Sequence, residues 1–181
     1  MSRMPTVDPS LAEGNTKELL ERTLSQLGRV PNLHRTMASA PAALDAYLSM
    51  RGALVRGALD NAMRERLALL IAEENGCEYC VSAHVFRGAK VGLAPEELSA
   101  NRDGASLDPK HTAALQFVRR VMHARGAVSD EELASVRLAG WHDAEIGEMV
   151  AHVALNIFAN YFNHVSRPAL DFPRVEVRAH G

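Results

Sequence analysis

The most informative stretch of this 181-residue chain reads ENGCEYCVSAH and covers residues 74–84. The stretch contains the only two cysteines, Cys77 and Cys80, followed by His84. Gly76 interrupts the preceding helical pattern, so a new helix is expected to begin near Cys77. Because offsets of three and four residues share one side of a helix, this helix would align both thiols with the imidazole.

Two cysteines in the first turn of a helix are well placed for thiol chemistry. Unpaired amide N–H groups and the helix dipole favour a thiolate there. His84, one turn beyond Cys80, can exchange a proton with it directly or through one water. A disulfide between Cys77 and Cys80 would close too short a loop to stabilise the fold. The pair is therefore interpreted as chemical rather than structural.

Glu65 lies one helix earlier, between Arg64 and Arg66. If Gly76 lets the two helices fold back on each other, Glu65 could orient His84 as the third member of a thiolate–imidazole–carboxylate relay. An ion pair with a neighbouring arginine is the alternative role for this carboxylate. The sequence alone leaves both open.

The same four side chains allow two other interpretations. Two thiols, an imidazole and a carboxylate are acceptable zinc ligands, although structural zinc pairs usually lie on tight turns rather than on one helix face. The cysteines could also be small buried side chains that take part in packing alone. We favour redox chemistry, with no bound metal and no bound cofactor.

The rest of the chain has the pattern of one helix after another. No stretch alternates with a period of two, so the expected fold class is all-α in a single domain. Ser129 and Glu132 fit a capping box before one short helix. The expected helices cover approximately residues 16–27, 41–56, 61–74, 77–91, a short segment from 95, then 109–122, 130–138 and 143–165.

Composition and charge narrow the functional classes. The chain is 47% hydrophobic and 23% charged, which is typical of a globular protein. Its formal charge of −2 gives no general attraction to nucleic acid or to membranes. Residues 1–15 lack the pattern of a secretory signal, and apolar runs such as 67–72 are too short to span a bilayer. We expect the protein to be located in the cytoplasm, a compartment in which thiols stay reduced.

The last helix carries a polar stripe at offsets of four, four and three residues, formed by His152, Asn156, Asn160 and Asn163. Buried amides need hydrogen-bond partners. The stripe could line a thiol pocket or a subunit interface, with the interface slightly favoured, or it could be a half-exposed face. Asn156 and Asn160, together with Tyr79, are candidates for a substrate pocket. Five other histidines have no evident partners and are expected at the surface or at helix caps: His34, His111, His123, His142 and His180.

The spacing of Glu65, Cys77, Cys80 and His84, E-x(11)-C-x-x-C-x-x-x-H, resembles the signature of AhpD-like alkylhydroperoxidases in the carboxymuconolactone decarboxylase superfamily. The core resemblance covers residues 59–93. It implies one AhpD-like domain over residues 1–181, with an N-terminal helical extension over 15–58. It also implies a helical bundle that assembles as a homotrimer or homohexamer.

The resemblance further implies a thiol-dependent peroxidase that reduces hydrogen or organic peroxides. Carried over to this chain, the resemblance implies that Cys80 attacks the peroxide and that Cys77 resolves the resulting sulfenic acid. It implies that His84 and Glu65 relay protons. An external dithiol, a lipoyl group or a thioredoxin-like protein, would then reduce the disulfide. Tyr79 stands where the best-known members have histidine, which removes one possible proton carrier.

Two alternative functions follow from the same superfamily and the same cysteines. A carboxymuconolactone decarboxylase-like lyase would work by acid/base chemistry and would not need the cysteine pair. A non-catalytic redox sensor would use the disulfide between residues 77 and 80 to change its packing. Neither nucleic acid nor membrane is an expected partner.

Overall fold

A computed structural model describes residues 2–178, and within them it is built from nine α-helices without a strand. The all-helical expectation is therefore confirmed, while His180 lies outside the described residues. In chain order the helices are α1 Gly14–Leu27, α2 Asn32–Met37, α3 Pro41–Leu54, α4 Asn61–Glu74, α5 Glu78–Lys90, α6 Pro95–Arg102, α7 Pro109–His123, α8 Asp130–Leu138 and α9 Asp143–Ser166.

Local sequence signals account for most helix ends. The Asp60 carboxylate accepts a hydrogen bond from the Met63 amide at 2.6 Å and caps α4. Ser129 and Glu132 form the expected capping box of α8. None of the helices within residues 2–178 is both long enough and apolar enough to cross a bilayer.

Helix α2 was not anticipated from the sequence. It is only six residues long and follows Pro31, which occupies its N-cap with an extended backbone. Its inner side carries Leu33 and Met37, which are 6% and 0% exposed and join the cluster formed by α1, α3 and α9. A helix this short has no stability of its own, so tertiary packing determines it.

Helix α4 lies at the centre of the fold and packs against α5, α6, α7 and α9. Every residue from 67 to 73 is buried, as is typical of a helix surrounded by others. One apolar cluster joins α4 to α7, α8 and α9, and another joins it to α5 and α6. The second cluster includes Cys77 and Cys80.

The chain after α9 runs back across α5. Phe172 packs edge-on against Tyr79, with ring centroids 5.7 Å apart, and also contacts Phe86. The Val175 amide donates a hydrogen bond to the Ser82 hydroxyl at 2.9 Å. This segment therefore fixes the outer side of the helix that carries the thiol motif.

Candidate active site

The turn between α4 and α5 presents the cysteines. Gly76 has φ +63°, in the left-handed region that favours glycine. The next amide, that of Cys77, donates to the Ala72 carbonyl at 2.9 Å and closes the turn. The helix begins at Glu78, so Cys77 is its N-cap and Cys80 lies in the first turn. The expected start near residue 77 is confirmed to within one position.

Cys77 and Cys80 are joined in a disulfide, with Cα atoms 5.3 Å apart. Both are buried, at 2% and 4% exposure. The amide Nδ2 of Asn163 donates a hydrogen bond to Cys80 Sγ at 3.1 Å. A donor held at this sulfur stabilises negative charge on it once the disulfide is reduced.

His84 and Glu65 meet as the relay hypothesis requires. The Nδ1 atom of His84 lies 2.7 Å from a Glu65 carboxylate oxygen, and the two side chains are 13% and 19% exposed. Burial acts to raise the pKa of Glu65, but the charge and hydrogen bond of His84, aided by Arg87 and Arg51, hold this pKa below its ordinary value. The carboxylate therefore accepts from Nδ1–H and leaves Nε2 for proton exchange.

The alternative partners of Glu65 bind elsewhere. Arg64 donates to the Leu59 carbonyl and to Asn61, and Arg66 pairs with Glu97 at 2.7 Å. Among residues 2–178, no three His, Cys, Asp or Glu side chains are grouped so that they could hold a metal ion.

Cys80 and His84 line one small interior pocket, which we call the thiol cavity. It leaves about 20 Å³ for a bound molecule, which is room for about one water. Its other walls come from α2, α3 and α9. The polar side chains that line it are His34, Tyr47, Tyr79, Cys80, His84, Arg87, Asn156 and Asn163.

His34 corrects one sequence expectation, because it is neither exposed nor a cap. It is 1% exposed on α2, and neither ring nitrogen has a hydrogen-bond partner. Burial lowers its pKa to about 3, with further lowering by the charges of Arg87 and Arg51, so the ring is neutral. Its edge contacts Tyr47, with ring centroids 5.2 Å apart. Assigning residues 32–37 to a helix would have placed His34 on the same side as the apolar Met37, three residues further on.

The polar stripe of α9 faces inward, with His152, Asn156, Asn160 and Asn163 all buried. Asn156 and Asn163 line the thiol cavity. Asn160 is not among its lining residues and instead accepts a hydrogen bond from Asn75 at 2.9 Å, which ties α9 to the turn before the cysteines. Of the three roles considered for the stripe, the positions of Asn156 and Asn163 match the thiol pocket.

Tyr79 is anchored rather than mobile. Its hydroxyl donates to an Asp171 carboxylate oxygen at 2.5 Å and accepts from the Leu33 amide at 3.1 Å. Burial and the Asp171 bond raise its pKa above the ordinary value, so it stays a neutral phenol. Its contribution to the thiol cavity is a fixed aromatic wall.

Three other histidines that the sequence assigned to the surface or to helix caps line neither the thiol cavity nor its neighbouring pockets. His142 is the N-cap of α9, as expected, and His123 is exposed and pairs with Glu74 at 2.7 Å. His111 is partly buried against Trp141, with ring centroids 6.1 Å apart.

The profile of the carboxymuconolactone decarboxylase family matches residues 41–130, about half of the chain. No curated protein matches the chain. The fold is similar to that of a peroxidase-related protein with an AhpD core from Ralstonia eutropha JMP134, at TM-score 0.80 and 23% identity, covering 94% of this chain and 92% of that one.

Two further solved structures share this fold. A peroxidase-related protein from Silicibacter sp. TM1040 has TM-score 0.78 and 22% identity, covering 92% of this chain and 89% of its own. A debrominase solved with 2,3,4-tribromopyrrole has TM-score 0.79 and 16% identity, covering 94% and 92%. The shared architecture is accordingly found in proteins named for different reactions.

Proposed function

Because this chain belongs to the carboxymuconolactone decarboxylase family and has the AhpD-like helical fold, we propose that it is a thiol-dependent peroxidase of hydrogen or organic peroxides. One observation carries the proposal. Cys80, bonded to Cys77, lines the same buried cavity as His84, whose imidazole is held by Glu65 at 2.7 Å.

In the reduced protein, His84 Nε2 takes the proton of Cys80, and the thiolate attacks the terminal peroxide oxygen. The O–O bond breaks as two electrons pass from sulfur to the peroxide, and the proton from His84 goes to the departing alkoxide. Glu65 stabilises the imidazolium formed between these steps. The products are an alcohol, or water from hydrogen peroxide, and a Cys80 sulfenic acid.

Cys77 then attacks the sulfenic sulfur, a disulfide forms and water leaves. An external dithiol returns both sulfurs to thiols and is itself oxidised to a disulfide. The whole cycle converts one peroxide and one dithiol into an alcohol, a water and a disulfide.

We assign the reductant to the Cys77 side of the disulfide. Cys77, although only 2% exposed, forms part of the wall of an open surface groove, whereas Cys80 lines the thiol cavity. Other residues of the groove are Gly76, Glu78, His164 and Arg167. Thiol–disulfide exchange is set in part by which sulfur can be reached. A lipoyl group or a thioredoxin-like protein would attack Cys77 there and release the Cys80 thiolate into the cavity.

This cycle needs a compartment in which dithiols remain reduced, so we propose a cytoplasmic location. Assembly into a homotrimer or homohexamer stays a prediction from the family resemblance.

Steady-state peroxide consumption with dihydrolipoamide, thioredoxin and a monothiol tests the proposal. We expect turnover with a dithiol, and its loss in Cys80→Ser. A lyase would keep its activity in Cys80→Ser, and a redox sensor would change assembly without turnover. Peroxide loss at the buffer rate with every donor would overturn the peroxidase assignment.

A further inference from the structure

A series of adjoining polar pockets, linked by shared lining residues, runs from the surface to the thiol cavity. Its outer basin is lined by Arg51, Arg64, Glu65, Arg87 and Lys90. An inner vestibule shares the first four of these residues with the basin. The vestibule and the thiol cavity in turn share Tyr47, His84, Arg87 and Asn156. We call the basin and the vestibule together the arginine passage.

The charge of this passage is strongly unbalanced. Four cations, Arg51, Arg64, Arg87 and Lys90, line it with one carboxylate, Glu65. That carboxylate is already bonded to the imidazole of the proton relay. Low-dielectric walls with one sign of charge concentrate oppositely charged solutes. The passage therefore attracts anions.

None of the three arginines of the passage has an acidic partner within ion-pair distance among residues 2–178, and Arg64 is bonded instead to the Leu59 carbonyl and to Asn61. The described polar contact of Arg51 is to Gln26 at 3.2 Å, and the Arg87 guanidinium lies over the Phe172 ring at 5.6 Å. Both side chains are only partly exposed. Arg102, by contrast, is a partly buried arginine that pairs with a carboxylate, Glu73, at 2.5 Å. Arg51 and Arg87 thus offer two guanidinium groups for an acid that residues 2–178 do not supply.

The interior also leaves polar atoms for a ligand to meet. His152 Nε2 in the vestibule and both ring nitrogens of His34 in the thiol cavity are buried without a hydrogen-bond partner. Buried polar groups are normally satisfied, and the two histidines that carry these atoms line the vestibule and the thiol cavity.

The dimensions separate the reacting group from the rest of the ligand. The thiol cavity holds about one water, and the vestibule adds about 50 Å³. The outer basin is larger, at about 320 Å³. A peroxide group can therefore reach Cys80 only if the remainder of the molecule extends along the arginine passage.

We infer that the preferred substrate is an organic hydroperoxide that also bears a carboxylate, held by Arg51 and Arg87 while its peroxide group meets Cys80. Guanidinium groups match carboxylates in a two-bond geometry. The inference rests on the proposed peroxidase function and adds the substrate class. The carboxylate takes no part in electron transfer: the hydroperoxide is reduced to the hydroxy acid while Cys80 is oxidised.

The direct test compares a carboxylate-bearing hydroperoxide with its methyl ester, which lacks the negative charge and is larger by one methyl group. We expect kcat/KM for the acid to exceed that for the ester roughly tenfold or more, because one hydrogen bond to a charged group contributes a factor of this size. Arg87→Gln should reduce this acid-to-ester ratio by a similar factor. Arg22→Gln, at an exposed arginine paired with Asp45, is the matched control and should keep the ratio. A ratio near one in the wild type, or an unchanged ratio in Arg87→Gln, would overturn the inference.

Binding of decanoate, a carboxylate without a peroxide, gives a readout that needs no turnover. In a calorimetric titration we expect decanoate to bind and its methyl ester not to bind. Arg87→Gln should raise the Kd for decanoate roughly tenfold. Decanoate binding without peroxide reduction would overturn the proposed function and the hydroperoxide assignment with it. Peroxide reduction with equal rates for acid and ester, and no decanoate binding, would overturn the carboxylate site and leave the function standing.

Discussion

Replacing Glu65 by glutamine tests the proton relay with little change of shape. Glutamine can still accept a hydrogen bond from His84 Nδ1, which lies 2.7 Å from the carboxylate. What disappears is the negative charge, which the lowered pKa of Glu65 keeps in place at neutral pH. The variant therefore measures how much that charge contributes when His84 becomes an imidazolium.

The expected size follows from the strength of charge-assisted hydrogen bonds. A bond to a charged group contributes about 1.5–3 kcal/mol, and about 1.4 kcal/mol corresponds to a factor of ten. Glu65→Gln should therefore lower kcat/KM for peroxide roughly 10- to 100-fold. Solvent screens this pair little, because its side chains are 13% and 19% exposed.

The assay is stopped-flow oxidation of the reduced protein by excess hydroperoxide, which isolates the Cys80 step from recycling. Asp45→Asn, in an exposed pair with Arg22, is the control and should leave the rate unchanged. A Glu65→Gln rate within twofold of the wild type, with both proteins folded, would refute the relay.

Stability provides a second arm of the same experiment. Because folding lowers the pKa of Glu65 from its model-compound value of 4.5, its charge stabilises the fold above that pH. This contribution is lost as the pH falls through the lowered folded pKa. The stability penalty of Glu65→Gln in urea unfolding should accordingly be present at pH 7 and shrink below pH 4.5. A penalty that grows on acidification would contradict the sign.

Three further changes have defined outcomes. Folding lowers the pKa of His34 from 6.5 to about 3, so between these pH values only the unfolded chain binds a proton at this ring. The free energy of unfolding therefore decreases on acidification by up to about 1.4 kcal/mol per pH unit. His34→Gln should flatten this loss in urea unfolding between pH 7 and 5, and identical slopes would show that the ring is not buried and neutral. Asn163→Ala removes the 3.1 Å hydrogen bond to Cys80 Sγ and should slow alkylation of reduced Cys80 by iodoacetamide roughly tenfold at pH 7, whereas an unchanged rate would mean that the amide does not stabilise the thiolate. Gly88→Ala would place a Cβ 2.5 Å from Leu98 Cδ2 and should cost about 1–3 kcal/mol of unfolding free energy. Gly147→Ala, which meets nothing within 4 Å, is its control, and equal effects of the two would contradict the packing of α5 on α6.

The sequence was sufficient for the elements that local signals determine. Asp60 and Gly76 bracket α4, and the observed helix Asn61–Glu74 has the bounds that those residues predict. The sequence also offered Glu65 as a partner of His84, since a short turn lets two helices fold back on each other, but it left a pair with a neighbouring arginine open. These inferences depend on neighbouring residues alone.

The rest depends on contacts between distant parts of the chain. The burial of His34 is created by a six-residue helix that packing stabilises, so its sequence carries no helical period to recognise. Arg51, Arg64 and Arg87 belong to three different helices, and each looks like part of a solvated face when it is considered alone. The stripe on α9 was ambiguous because a polar face does not say what covers it.

The most direct test of the central claim is mass mapping after a single turnover. Reduced protein is mixed with one equivalent of hydroperoxide, with dimedone present to trap sulfenic acid. We predict a disulfide between Cys77 and Cys80 in the wild type, and a dimedone adduct on Cys80 in Cys77→Ser. The account would be contradicted if the dimedone adduct on Cys77 in Cys80→Ser formed as fast as the adduct on Cys80 in Cys77→Ser. It would also be contradicted if neither sulfur were oxidised.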